Sequence, residues 1–116
     1  MAAKNFFKKE NEMSEIKQKH YRKVRKMYEG VVKAAEKLGE EVKKAGPIKG
    51  KEAELIQLAA ALANRSEGAV HSHTKRALEA GATQEELYHA AILLTNTIGF
   101  SAVMAGITWI SDIAEK

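Results

Sequence analysis

Residues 87–111 contain no Asp, Glu, Lys or Arg, and this uncharged run constrains the fold more than any other feature of the chain. A stretch of that length either spans a bilayer or is buried on nearly all sides within a helical protein. Three observations favour burial. Thr95-Asn96-Thr97-Ile98-Gly99 places amide and hydroxyl groups at the midpoint, where hydrocarbon would leave them unsatisfied. The flanks carry Glu85, Glu86 and Asp112 in place of Lys or Arg anchors, and Tyr and Trp form no belt at both ends. A helical hairpin divided at Gly99 is the alternative, and such all-round apolarity in 116 residues predicts that another copy of the chain covers part of it. No membrane association is expected.

Upstream, Met13, Ile16, His20, Val24, Met27, Val31, Ala35, Leu38 and Val42 recur at steps of three and four, the stripe of an α-helix, with Gly30 as a point of kinking or splitting. Ala45-Gly46-Pro47-Ile48-Lys49-Gly50 is dense in breakers and forms the main loop. A second helix is predicted over residues 51–64, burying Leu55, Ile56, Ala59 and Leu62. A third opens at Ser66, an N-cap type followed by Glu67, and runs to Ala80, with Gly81 closing it. Thr83-Gln84-Glu85-Glu86 has the form of a capping box, so a fourth helix starts there and presents Leu87, Ala91, Leu94 and Ile98. A last helix covers residues 100–113. The fold class is therefore all-α, a single domain over residues 1–116, with an amino-terminal helical region over 1–50 and a core over 51–116.

Charge and composition narrow the function. Residues 1–51 hold 15 Lys/Arg against 7 Asp/Glu, whereas residues 52–116 hold 4 against 8. The basic charges alternate in sign with acidic ones at helical spacing and lack an aromatic platform, so no nucleic-acid binding is expected. Tyr21, within Lys19-His20-Tyr21-Arg22-Lys23, belongs to the same solvated face. The opening MAAKNFFKKE has two adjacent aromatics before charge resumes, short of a secretory h-region, and the expected location is cytoplasmic. The absence of cysteine removes thiolate chemistry, disulfides and iron–sulfur clusters.

Residues 54–83 carry a pattern: Glu54, then His73, then Ala80-Gly81-Ala82-Thr83-Gln84-Glu85-Glu86. It resembles the carboxymuconolactone decarboxylase and alkylhydroperoxidase D family over residues 51–98. In the redox branch, Cys-x-x-Cys-x-x-x-His follows the Glu, and here the two cysteine positions are Ser66 and Ala69. The resemblance implies that the lost cysteines would reduce hydroperoxides, with the Glu and His moving the proton that makes the thiolate. A serine hydroxyl cannot cycle through a disulfide, so hydroperoxide turnover is expected at background. In the decarboxylase branch the residue four before the His is usually Glu, and Ala69 does not supply it. The resemblance also implies an alkylhydroperoxidase D-like bundle of five or six helices that associates as a homo-trimer or homo-hexamer.

Glu54 and His73 are the candidate catalytic residues, a carboxylate and an imidazole able to perturb each other and relay a proton between two helices. Ser66 as a nucleophile is disfavoured because seven helical residues put it about 10 Å in rise from His73, and an N-cap role suits it better. His71 and His73, two apart, point to different sides of a helix and cannot share a metal, and no metal or cofactor is expected. His71 and His89 are candidate pocket residues, with a hydrogen-bonded core or interface role the plainer alternative for His89. Met104 and Trp109 are read as packing residues. The expected function is non-redox acid–base chemistry on a small organic acid or lactone, with His73 as proton shuttle and Glu54 as partner. The alternatives are a peroxiredoxin-related antioxidant protein whose two cysteines were replaced, and a non-catalytic oligomeric scaffold.

Overall fold

The computed structural model describes residues 19–116, all of whose regular elements are helical. Met13 and Ile16 of the amino-terminal stripe lie outside the described residues. The chain divides into two units, one ending at Val42 and the other spanning Lys43–Lys116.

In the first unit, residues 19–27 are helical, Tyr28 forms a turn, and helix α1 spans Glu29–Lys44. The interruption falls at Tyr28, two residues before the expected Gly30, which lies inside the helix. Backbone bonds from Tyr28 N–H to Val24 O (2.8 Å) and from Val32 N–H to Tyr28 O (3.0 Å) bridge the turn. Pairs one turn apart, Glu29 with Lys33 (2.8 Å) and Lys37 with Glu41 (2.9 Å), line the polar side of α1, where each supports the helix by a few tenths of a kcal/mol at about 0.3–0.5. No residue of α1 is buried, and Val31, Leu38 and Val42 stand exposed along its apolar stripe.

The second unit holds α2 (Gly50–Ala63), α3 (Glu67–Glu79), α4 (Gln84–Ile92), the short α5 (Thr95–Ile98) and α6 (Phe100–Ala114). Helices α2 and α3 pack along each other across the link Asn64-Arg65-Ser66, and α6 packs on α3, α4 and α2. Leu58, Leu62, Val70, Ala77, Leu87, Val103 and Ile110 form the centre of the core. Full burial of one such aliphatic chain is worth about 1.5–3 kcal/mol. Trp109 and Leu78 are half-buried against this cluster, while Met104, expected to pack, is exposed.

The inward face of α2 is Glu54, Leu58 and Leu62, spaced i, i+4, i+8. That phase corrects the expected set. Ile56 lies on the other side and is 55% exposed, Leu55 and Ala59 are half-buried, and Leu58 takes the central place. Helix α3 ends as expected: Gly81 adopts φ 99°, with Ala82 N–H bonded to Ala77 O (2.9 Å) and Gly81 N–H to Leu78 O (3.0 Å), a Schellman closure. The capping box follows at once, with Glu86 N–H donating to Thr83 Oγ1 (3.1 Å) and Thr83 N–H to Glu86 Oε1 (2.9 Å).

The expected fourth helix is interrupted at Leu93-Leu94, where the Thr95 hydroxyl donates to Ile92 O (2.6 Å) and offers the backbone a local alternative to the helical ladder. Gly99 (φ 93°) then separates α5 from α6. Gly106 on α6 lies close against α2: a methyl group there would collide with the Leu62 side chain. Among the described residues, no helix is long and apolar enough to cross a membrane.

Candidate functional site

Glu54 projects from the core stripe of α2, with its side chain only 8% exposed. Taking a carboxylate out of water is costly unless it is paired and hydrogen-bonded. Both oxygens are paired. His73 Nδ1, from α3, lies 3.0 Å from Glu54 Oε2, and Lys43 Nζ, from the last turn of α1, contacts Oε1. Burial pushes the Glu54 carboxyl pKa up, but hydrogen bonds from Lys43 and His73, with their charges, outweigh it and hold the group below its ordinary value. Glu54 is thus ionised at neutral pH. An ionised carboxylate only accepts, so the contact to His73 requires the proton on Nδ1 and leaves Nε2 of a neutral ring as the free base.

Beside Glu54 opens a cleft of about 550 Å³ whose lining includes Lys43, Lys44, Lys49, Arg76 and Glu79. Four cationic side chains against two carboxylates, one of them already paired by Lys43, give it a positive interior suited to an anion. Lys43 and Arg76 were not among the sequence candidates. Both sit inside charge pairs, Lys43-Lys44 and Lys75-Arg76, that read as ordinary solvated helix faces.

The other candidates are dispersed. Ser66 occupies the N-cap position of α3, yet its hydroxyl makes no capping bond, which corrects the expected role. Its carbonyl accepts from Val70 N–H at 2.9 Å. Ala69 is half-buried one turn before His73. His71 is not part of the Glu54 constellation: its Nε2 lies 3.0 Å from Oδ2 of Asp112 on α6. His89 lines a separate hollow of about 360 Å³ between α2 and α4, with Leu55, Ile56, Ala59, Leu93 and Leu94. It is largely exposed rather than a core residue.

The architecture matches the crystal structure of an apo carboxymuconolactone decarboxylase family protein from Legionella pneumophila, with a TM-score of 0.77 at 22% identity, covering 92% of this chain and 96% of that one. At that identity the match speaks for the fold. No curated protein matches the sequence significantly. Residues 29–112, which include Lys43, Glu54, His73 and Arg76, match the model of the carboxymuconolactone decarboxylase family, and the chain belongs to that family.

Proposed function

We infer that the protein carries out non-redox proton transfer on a small anionic organic acid or lactone. The observation that carries this reading is the buried Glu54 carboxylate, which lines a cationic cleft with Lys43 and is also bonded to His73. Glu54 holds the His73 ring in the Nδ1–H tautomer, and Nε2 takes a proton from the substrate carbon next to its carboxylate or lactone carbonyl, becoming imidazolium. The electron pair left on carbon is delocalised into that carbonyl group. Return of the proton from Nε2 to another carbon of the conjugated system completes an isomerisation; where a carboxylate leaves as CO2 instead, no carbon-bound proton is taken first, and a His73 imidazolium that has drawn its proton from solvent protonates the carbanion left behind. Lys44, Lys49 and Arg76 hold the substrate's negative charge, so binding and proton transfer fall to different residues. With Ser66 and Ala69 at the positions of the redox branch's cysteines, thiol-based peroxide reduction has no nucleophile.

A panel of small dicarboxylic acids and unsaturated γ-lactones incubated with the protein in D2O, followed by proton NMR, tests the reading. Carbon-bound deuterium should accumulate in at least one compound with the unaltered protein and fall at least about a hundredfold in His73→Asn, the range that general acid–base catalysis supplies. Arg76→Ala should raise KM and leave kcat nearly unchanged. Absence of exchange across the panel, together with absence of chemical-shift changes at Lys49 and Arg76, would leave the scaffold alternative standing.

A further inference from the structure

On the opposite side of α3 from His73, three side chains with metal-ligand chemistry converge. Glu67 and His71 lie one turn apart on α3, and Asp112 comes from the last turn of α6, which packs on α3. One donor atom from each residue falls within 4.8 Å of the other two. The tightest pair, His71 Nε2 and Asp112 Oδ2, is separated by 3.0 Å. That is the separation of two donors about 2.1 Å from one ion and at about a right angle to each other. The Glu67 carboxylate, in the first turn of the same helix, offers the third donor atom within the same 4.8 Å. His71 is 20% exposed and Asp112 40%, so the point at which they meet is open to water.

We propose that Glu67, His71 and Asp112 form a divalent transition-metal site, separate from the Glu54–His73 pair. One imidazole nitrogen and two carboxylate oxygens make a mixed donor set that favours Zn2+ or Mn2+ over Ca2+ and Mg2+, which prefer all-oxygen shells. The two carboxylates neutralise the ion. Three protein ligands leave at least one position for water, the arrangement of a reactive rather than a purely structural centre. Neither the Glu54 cleft nor the His89 hollow includes these residues, so the site stands whether or not the acid–base reading holds.

The test titrates the metal-free full chain with Zn2+ by calorimetry and with Mn2+ by paramagnetic resonance, and follows the histidine ring nitrogens by NMR. One saturable site per chain is expected, with the His71 Nε2 resonance shifting on Zn2+ addition and the His73 resonances nearly unmoved. His71→Ala and Asp112→Asn should each weaken Zn2+ binding by at least about tenfold, while His73→Ala changes it less than about twofold. Should His71→Ala fail to fold, Asp112→Asn and Glu67→Gln carry the same comparison, and retained helical circular dichroism checks that they fold. No saturable binding, equal competition by Mg2+ or Ca2+, or affinity unaltered in both Asp112→Asn and Glu67→Gln would overturn the assignment. So would a Zn2+ shift confined to His73.

Discussion

Glu54 ties the stability of the fold to the chemistry proposed for the site. Its carboxyl pKa is lower folded than unfolded because the bonds to Lys43 and His73 outweigh burial, so the folded protein binds fewer protons there. The stabilisation is fully present above the ordinary glutamate range and is lost as pH falls through the depressed folded value. Thermal midpoints measured from about pH 6 down to about pH 3 should therefore fall less steeply in Glu54→Gln than in the unaltered chain. Equal slopes would show that the pair does not titrate in this way. Glu54 and His73 were legible in the sequence because a motif ties them together at a fixed distance. Lys43 was not, since nothing in a Lys-Lys pair before a Gly-Pro loop shows which lysine turns inward. Asp112 was likewise hidden, because its partner His71 is 41 positions away.

At the level of the helices, local signals were read most securely where they are satisfied locally. Gly81 and Thr83 end one helix and start the next through bonds within a few residues, and both were visible as capping patterns. Thr83→Ala should cost about 1 kcal/mol in urea unfolding, the usual loss for an N-cap, and a change below about 0.3 kcal/mol would contradict it. Faces were read less well. The run Leu55 to Leu62 is apolar nearly all round, so periodicity did not choose between the Leu55/Ile56/Ala59 and Leu58/Leu62 sides, and tertiary packing decided it. Gly106 is not legible in the sequence, because a glycine in an apolar helix carries no mark of what approaches it. Gly106→Ala should destabilise by about 1–2 kcal/mol, since overpacking against Leu62 exceeds the gain of about 1 kcal/mol in helix propensity. A stabilised variant would mean that Leu62 has room to move.

For the molecule as a whole, the core is small. Among the described residues nine hydrophobic side chains are buried, and three of those are alanine, while Leu93 and Phe100 are 62% and 63% exposed with Ile56 and Ile92 also open. An apolar surface of that kind on so small a core supports the proposal of a homo-oligomer, a trimer or hexamer by analogy within the family. Sedimentation at micromolar concentration should show a species well above 12.8 kDa, and the thermal midpoint should rise with protein concentration. Leu93→Lys combined with Phe100→Lys should abolish both effects. A lone 12.8 kDa species in the unaltered protein would refute the proposal. The fold class was legible because the charge-free run and the breaker loop left few alternatives. The number of copies in the proposed assembly is not legible in the same way, because apolarity does not count the copies that would cover it.

Helix α2 places the paired carboxylate, Glu54, and the contact that Gly106 of α6 makes room for, at Leu62, two turns apart on a single stripe. Over eight residues the separation is about 12 Å, short enough for an α-helix to behave as a stiff rod. Mechanically, a rod seated against Gly106 at Leu62 carries Glu54 at its other end. Leu58, fully buried between the two positions, holds this stretch of the helix against the core. Any shift that a side chain at position 106 forces on Leu62 therefore falls on the same helix stripe that carries Glu54.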